Sequence, residues 1–304
     1  MKNVLFASTA LVAFGFAGAS FADGHASTSI TLSGSAELGF TSRDADTSAT
    51  DDGHIQVHND FDLTWALVGT TDGGLEFGAS GDWDEAPTEE KAHAYISGSF
   101  GTITIGDTDG AFDKAMIEIA SGGLVDETDF YVNGNSGFDG TQDAEDQVAR
   151  YDIAFGGTTL SVSYEDGDDS VGSENVYGIG AAFTFGTVSM GIGYQEAGDD
   201  DIAGISASVA LGSVDLTANY SAGETGGNDM DAYGVSAEIA LGAGTLAVNY
   251  DYDEVDGVSE NTGYGIWYSM PLGGGATFTA AAGTDEDIAG NEDTQFGAGI
   301  GMSF

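Results

Sequence analysis

Carboxylate is the reactive group this chain has in abundance. Its 304 residues carry 51 Asp and Glu against 5 Lys and Arg and 4 His, for a formal charge of −46 at pH 7. Forty-one of those acids fall in eight segments, Thr41–His54, Asp84–Lys91, Asp107–Asp146, Glu165–Glu174, Gln195–Ile202, Ser221–Ala232, Asp251–Glu260 and Gly283–Thr294. Eight more, Glu37, Asp60, Asp62, Glu76, Asp82, Asp152, Asp215 and Glu238, stand inside the apolar runs between them. Oxygen-rich loops of this kind suit Ca²⁺, which takes about six to eight oxygen ligands, so the acidic loops are expected either to bind Ca²⁺ or to be screened nonspecifically by cations, and no cofactor is required. No EF-hand is complete: Asp166-Gly167-Asp168-Asp169-Ser170 begins like one, but Val171 holds the place of its Gly and Tyr177 that of its Glu.

Catalysis finds less support. His54 and His58 share a face of an extended segment, yet at about 3.3 Å per residue their α-carbons lie about 13 Å apart. His93 is isolated, His25 lies near the N-terminus, and no local motif sets a nucleophile beside a base. The chain is therefore expected not to be an enzyme. Nucleic acid is excluded as a partner, because binding its phosphates requires Lys and Arg. With no cysteine in the sequence, no disulfide framework can hold the fold.

The apolar runs that must position these acids alternate with period two. In the first, Ile30, Leu32, Ala36, Leu38 and Phe40 face one way and Thr31, Ser33, Ser35 and Glu37 the other. The last, Thr294 to Phe304, sets Phe296, Ala298, Ile300, Met302 and Phe304 on one face. Counting from the first, Ser29 to Phe40, to the last gives sixteen strands. The connections alternate between short, nearly neutral turns such as Phe185-Gly186-Thr187 and the acidic segments. An antiparallel meander places alternate connections at opposite ends, so one end is polyanionic and the other bland.

An even strand number, strands of about ten residues, short turns at one end and long loops at the other predict a transmembrane β-barrel. All eight strand acids oppose the apolar face. A water-exposed sandwich would mix Lys with Glu on its polar face, whereas here Gly, Ser, Thr and acids predominate, as suits a water-filled lumen. Tyr164, Tyr194, Tyr220 and Tyr250 close strands at the acidic end and Tyr177, Tyr233 and Tyr264 open them, while Phe155, Phe185 and Phe304 stand at the turn end. Amphipathic rings gathered at strand ends are expected at membrane interfaces. Residues 1–22 read as an export signal, with Lys2, an apolar stretch and Ser20-Phe21-Ala22 as the cleavage site, leaving 23–304 as the barrel.

Asp107–Asp146 is far longer than an ordinary connection. Besides 11 acids and one Lys it holds Phe112, Met116, Ile117, Ile119, Leu124, Val125 and Phe130, which need a surface to pack on. The barrel interior is the nearest, the alternative being a surface flap over the mouth. A short helix is expected over Gly110 to Ala120, with Asp109 as its N-cap.

The stretches Ile96 to Asp113, ISGSFGTITIGDTDGAFD, and Gln147 to Tyr164, QVARYDIAFGGTTLSVSY, resemble the fifth strand, third loop and next hairpin of general diffusion porins of the Gram-negative outer membrane, alphaproteobacterial type. Leu67 to Asp84, LVGTTDGGLEFGASGDWD, is similar to their second hairpin, and Phe304 to their terminal aromatic. The resemblance implies a 16-stranded barrel, a homotrimer, and a third loop folded inward as the pore constriction. It implies as partners outer-membrane lipid and lipopolysaccharide, small hydrophilic solutes and cations, and as location the outer membrane, reached by export through the periplasm.

The constriction candidates are Asp107, Asp109, Asp113, Glu118, Asp126, Glu127 and Asp129. The pore-wall candidates are Glu37, Asp60, Asp62, Glu76, Asp82, Arg150, Asp152, Asp215 and Glu238. In the family a basic wall faces an acidic third loop. At the wall positions that align with family arginines this chain has Glu37, Asp62 and Thr64, and only Arg150, with Arg43 nearer the mouth, stays basic. The expected function is passive, cation-preferring diffusion, the alternatives being a substrate-selective channel or a surface receptor or adhesin on the same scaffold.

Overall fold

The computed structural model describes residues 28–45, 54–83, 89–122, 147–167, 174–287 and 289–304. The proposed signal segment 1–22 and the loop acids Asp126, Glu127 and Asp129 lie outside the described residues.

Sixteen strands follow in chain order: β1 Thr28–Ala45, β2 Gln56–Thr70, β3 Glu76–Trp83, β4 Glu89–Gly98, β5 Gly101–Gly106, β6 Val148–Phe155, β7 Thr158–Glu165 and β8 Val176–Phe185. Then come β9 Val188–Ala197, β10 Asp200–Ala210, β11 Val214–Thr225, β12 Asn228–Leu241, β13 Gly244–Val255, β14 Ser259–Gly273, β15 Ala276–Asp287 and β16 Glu292–Ser303. Each strand pairs antiparallel with the next, and β16 pairs with β1, so the sheet closes and has no edge. Closure leaves no unpaired sheet edge to face an apolar solvent. The seam is sealed at its end by Phe304, whose N–H donates to the Gly34 carbonyl at 2.9 Å.

Short turns work through glycine. Phe185 and Val188 are paired across the two-residue connection Gly186-Thr187, and Gly186 sits at φ 65°, a left-handed conformation that costs glycine nothing.

The period-two pattern sorts as expected. Ile30, Leu32, Phe40, Ile179, Ile205 and Ile266 are exposed on the outer surface, at 77% for Ile30, while Ser206, Ser221, Gln195 and Gln295 on the opposite face are buried. An apolar exterior around a polar interior inverts a soluble protein and fits a hydrocarbon surround. The tyrosine belt stands at the acidic end, with Tyr164 and Tyr177 rings 5.4 Å apart and Tyr233 stacked 5.1 Å from Tyr252.

Strand ends differ from the sequence expectation on the acidic side. The β13–β14 ladder continues to Val255 paired with Ser259, β11–β12 to Thr225 with Asn228, and β9–β10 to Ala197 with Asp200. Much of what reads as acidic loop is hydrogen-bonded hairpin. Above the membrane both faces meet water, so both carry polar residues and the hydrophobic alternation that marks a strand disappears.

Candidate solute pathway

After β5 the chain turns inward. Residues 111–115 form one helical turn, α1 Ala111–Ala115, and 116–122 run extended along the lumen wall. Ala111, Phe112, Ala115, Met116 and Ile119 are buried, Phe112 completely. They pack on the lumen faces of β7 to β12, where glycine makes room. A β-carbon at Gly180 would stand 2.0 Å from the Ala111 carbonyl oxygen, at Gly191 2.1 Å from that of Ala115, and at Gly193 2.6 Å from the Phe112 ring. Phe112 and Met116 close a small apolar cluster with Ile202 and Met230. Further along, Ala120 packs on Ala247, Trp267 and Ala281. Burying Phe112 alone contributes about 1.5–3 kcal/mol to docking.

Helix was expected over Gly110 to Ala120 with Asp109 as cap. It stops at Ala115, and Gly110 occupies the N-cap without a side-chain hydrogen bond. The physical reason is that the wall supplies partners a continued helix would supply itself. Ser206 Oγ accepts from the Ile117 N–H at 2.8 Å, and Asn219 Nδ2 donates to the Ile117 carbonyl at 3.4 Å. Three residues on, Ser236 Oγ accepts from the Ala120 N–H at 2.9 Å and Asn249 Nδ2 donates to the Ala120 carbonyl at 2.9 Å. Ser163 Oγ accepts from the Ala111 N–H at 2.8 Å. Ser206→Ala or Ser236→Ala should each cost the loop about 1 kcal/mol, seen as about fivefold faster hydrogen exchange at the amide of Ile117 or Ala120 respectively.

Arg150 roots the loop. Its guanidinium donates to the Asp109 carbonyl, to Thr108 Oγ1 at 3.2 Å and to Asp152 Oδ2 at 3.0 Å, and the residue is 6% exposed. Ser161 Oγ donates to the other Asp152 oxygen at 2.6 Å. Two wall candidates, Arg150 and Asp152, thus neutralise each other beneath the loop root instead of lining the open path. Asp107 and Asp109 also lie at this root, while Asp113 and Glu118 stand on the loop face turned away from the wall, Glu118 exposed.

The described inward stretch, residues 111–122, lies against the wall from β7 to β14. On β1 to β3 the acids Glu37, Asp60, Asp62, Glu76 and Asp82 lie on the lumen side. Glu37 stands directly across from Asp60, and Asp62 across from Ser35, whose Oγ donates to Asp62 Oδ2 at 2.9 Å. Glu76 accepts from the Tyr95 hydroxyl at 3.1 Å, and Ser80 Oγ pairs with His93 Nε2 at 3.1 Å. Asp215 and Glu238 also face each other across the ladder, near the turn end and away from the loop. Among the described residues no group of three or more His, Cys, Asp or Glu converges on a metal position.

The residues that seat the loop, Ser163, Ser206, Ser236, Asn219, Asn249 and the lumen glycines, are absent from the sequence-based candidates. The available signal was Gly178-x-Gly180 and Gly191-x-Gly193 on neighbouring strands, both pairs on the polar face. Bare backbone repeated at one level marks a surface that another segment approaches.

A closed sixteen-strand barrel with a lipid-facing exterior, and a polar lumen narrowed by its own third loop, defines an outer-membrane pore rather than an enzyme. The chain belongs to the Gram-negative porin family, whose sequence profile matches residues 7–298. Its place is accordingly the outer membrane. It is similar to a porin of Rhodobacter capsulatus, 33% identical over 139 residues, 43% of this chain and 46% of that protein, so the match spans about half the relative's length. The fold matches a solved porin with 24% identity and a TM-score of 0.72, covering 91% of this chain and 100% of that one. It also matches an anion-selective porin from Comamonas acidovorans, with 16% identity, TM-score 0.72 and the same coverage. A Rhodopseudomonas blastica porin variant gives 22% identity and a TM-score of 0.63, again over 91% of this chain and 100% of that one.

Proposed function

We propose that this porin passes small hydrophilic solutes by passive diffusion and prefers cations. The observation that supports the preference is the lumen face of β1 to β3, which carries Glu37, Asp60, Asp62, Glu76 and Asp82, while Arg150 is bonded to Asp152 and the loop root. Carboxylates ringing a narrow aqueous path concentrate cations and repel anions. The anion-selective relative has the same fold, so the sign of selectivity belongs to the lumen side chains and not to the barrel.

Asp107, Asp109, Asp113, Glu118, Asp126, Glu127 and Asp129 are proposed as the constriction acids, with Asp113 and Glu118 nearest the open path. Export through the signal segment 1–22, assembly as a homotrimer, contact with lipopolysaccharide and Ca²⁺ screening of the acidic rim complete the reading. In a planar bilayer under a tenfold KCl gradient, the reversal potential should carry the sign of K⁺ preference. Raising mean salt from 0.1 M to 1 M shortens the Debye length from about 10 Å to about 3 Å and should erode the preference. A reversal potential of the opposite sign refutes it. Conductance that saturates with one solute would instead favour a substrate-selective channel.

A further inference from the structure

Lys114 is one of two basic side chains among the described residues whose surroundings are defined, the other being the buried Arg150. Its neighbours on α1 fix its direction. Ala111, Phe112 and Ala115 are buried against β7, β8 and β9, and the turn is held by Lys114 N–H donating to the Gly110 carbonyl at 3.0 Å and Met116 N–H to that of Asp113 at 2.9 Å. The opposite face of this single turn carries Asp113 and Lys114, and Lys114 is exposed. No described carboxylate forms an ion pair with its ammonium, whereas Arg150 is committed to Asp152 at 3.0 Å.

In a closed ring of sixteen strands, β8 lies eight places from β16, so α1 looks across the lumen toward β16, β1 and β2. The lumen faces of those strands carry Gly297, Gly299 and Gly301 on β16, Glu37 on β1, and Asp60 and Asp62 on β2. Lys114 is thus a positive group on the inserted loop of a barrel whose facing strands carry carboxylates.

We infer that Lys114 is a specificity-determining residue of this pore: it restrains the cation preference and gives anionic groups their one point of attraction at the inserted loop. The inference rests on the pore reading above but not on the sign of the wild-type preference. A unit charge at about a Debye length changes cation and anion occupancy in opposite directions, together about twofold in the permeability ratio.

The test is reversal potential in a KCl gradient for Lys114→Gln, Lys114→Glu and Lys114→Arg, each checked for barrel assembly by its heat-dependent gel mobility. Lys114→Gln should raise the K⁺ to Cl⁻ permeability ratio about twofold over wild type, and Lys114→Glu about fourfold. Lys114→Arg should keep the wild-type ratio. Ratios for the Gln and Glu variants equal to wild type overturn the inference. A wild-type pore that prefers Cl⁻, with the Lys114 variants still shifted toward K⁺, would refute the proposed cation preference and leave the role of Lys114 standing.

Discussion

Gly180→Val should dislodge the inserted loop and raise single-channel conductance, with larger neutral sugars admitted in a liposome swelling assay. The β-carbon alone would fall 2.0 Å from the Ala111 carbonyl oxygen and 2.5 Å from the Ala115 β-carbon. Both are on the helix itself and neither is the tip of a flexible side chain. Valine adds two further carbons at the same place. Overpacking usually costs about 1–3 kcal/mol when neighbours can adjust, and here the neighbour is backbone pinned at Ser163 and Ser206. The loop must lift as a unit, losing the Phe112 and Met116 contacts with Ile202. The barrel itself should assemble, because β-branched residues suit strands. Unchanged conductance and sugar cutoff in Gly180→Val would mean that the loop does not set the limiting aperture.

Removing the wall charge should have the largest effect on selectivity. In the triple variant Glu37→Gln, Asp60→Asn, Asp62→Asn, the K⁺ to Cl⁻ permeability ratio should fall about five- to eightfold at 0.1 M salt, since three charges each contribute about twofold or slightly less. Folding should survive the change. Glu37 and Asp60 face each other across the ladder, where like charges repel, and Asn at position 62 retains a carbonyl oxygen for the Ser35 hydroxyl. The same ratio in triple variant and wild type would place the controlling charge elsewhere, and the loop acids Asp113 and Glu118 would be next to neutralise.

The two predictions draw on different layers of legibility. Strand number and order were open to reading because lipid on one side and water on the other force an alternation visible one strand at a time, as in β8, where Tyr177 and Ile179 point out and Gly178 and Gly180 point in. The outer halves of β12 and β13 were hidden for the converse reason, water on both faces. Phe112 and its apolar neighbours announced that the third loop packs on something. Their partners could not be read, because Ser206 and Ser236 are separated from Ile117 and Ala120 by 89 and 116 residues.

Charge shows the same division. Composition alone determined that this chain is strongly anionic, with 51 acids against 5 bases. Only the closed barrel decided which charges count. Arg150 and Asp152 are two residues apart and therefore on one face of β6, and the loop root bonds to Arg150, which holds Asp152 in turn; Glu37 and Asp60 lie on separate strands, and the ladder brings them side by side on the lumen face. Lys114 reads in sequence as a minor exception within an acidic loop. Burial of Ala111, Phe112 and Ala115 turns it toward the solute path. A side chain's type is fixed residue by residue, but its exposure to a lumen depends on packing between segments distant in the chain, and that is settled only when the ring closes and the loop finds its glycine bay.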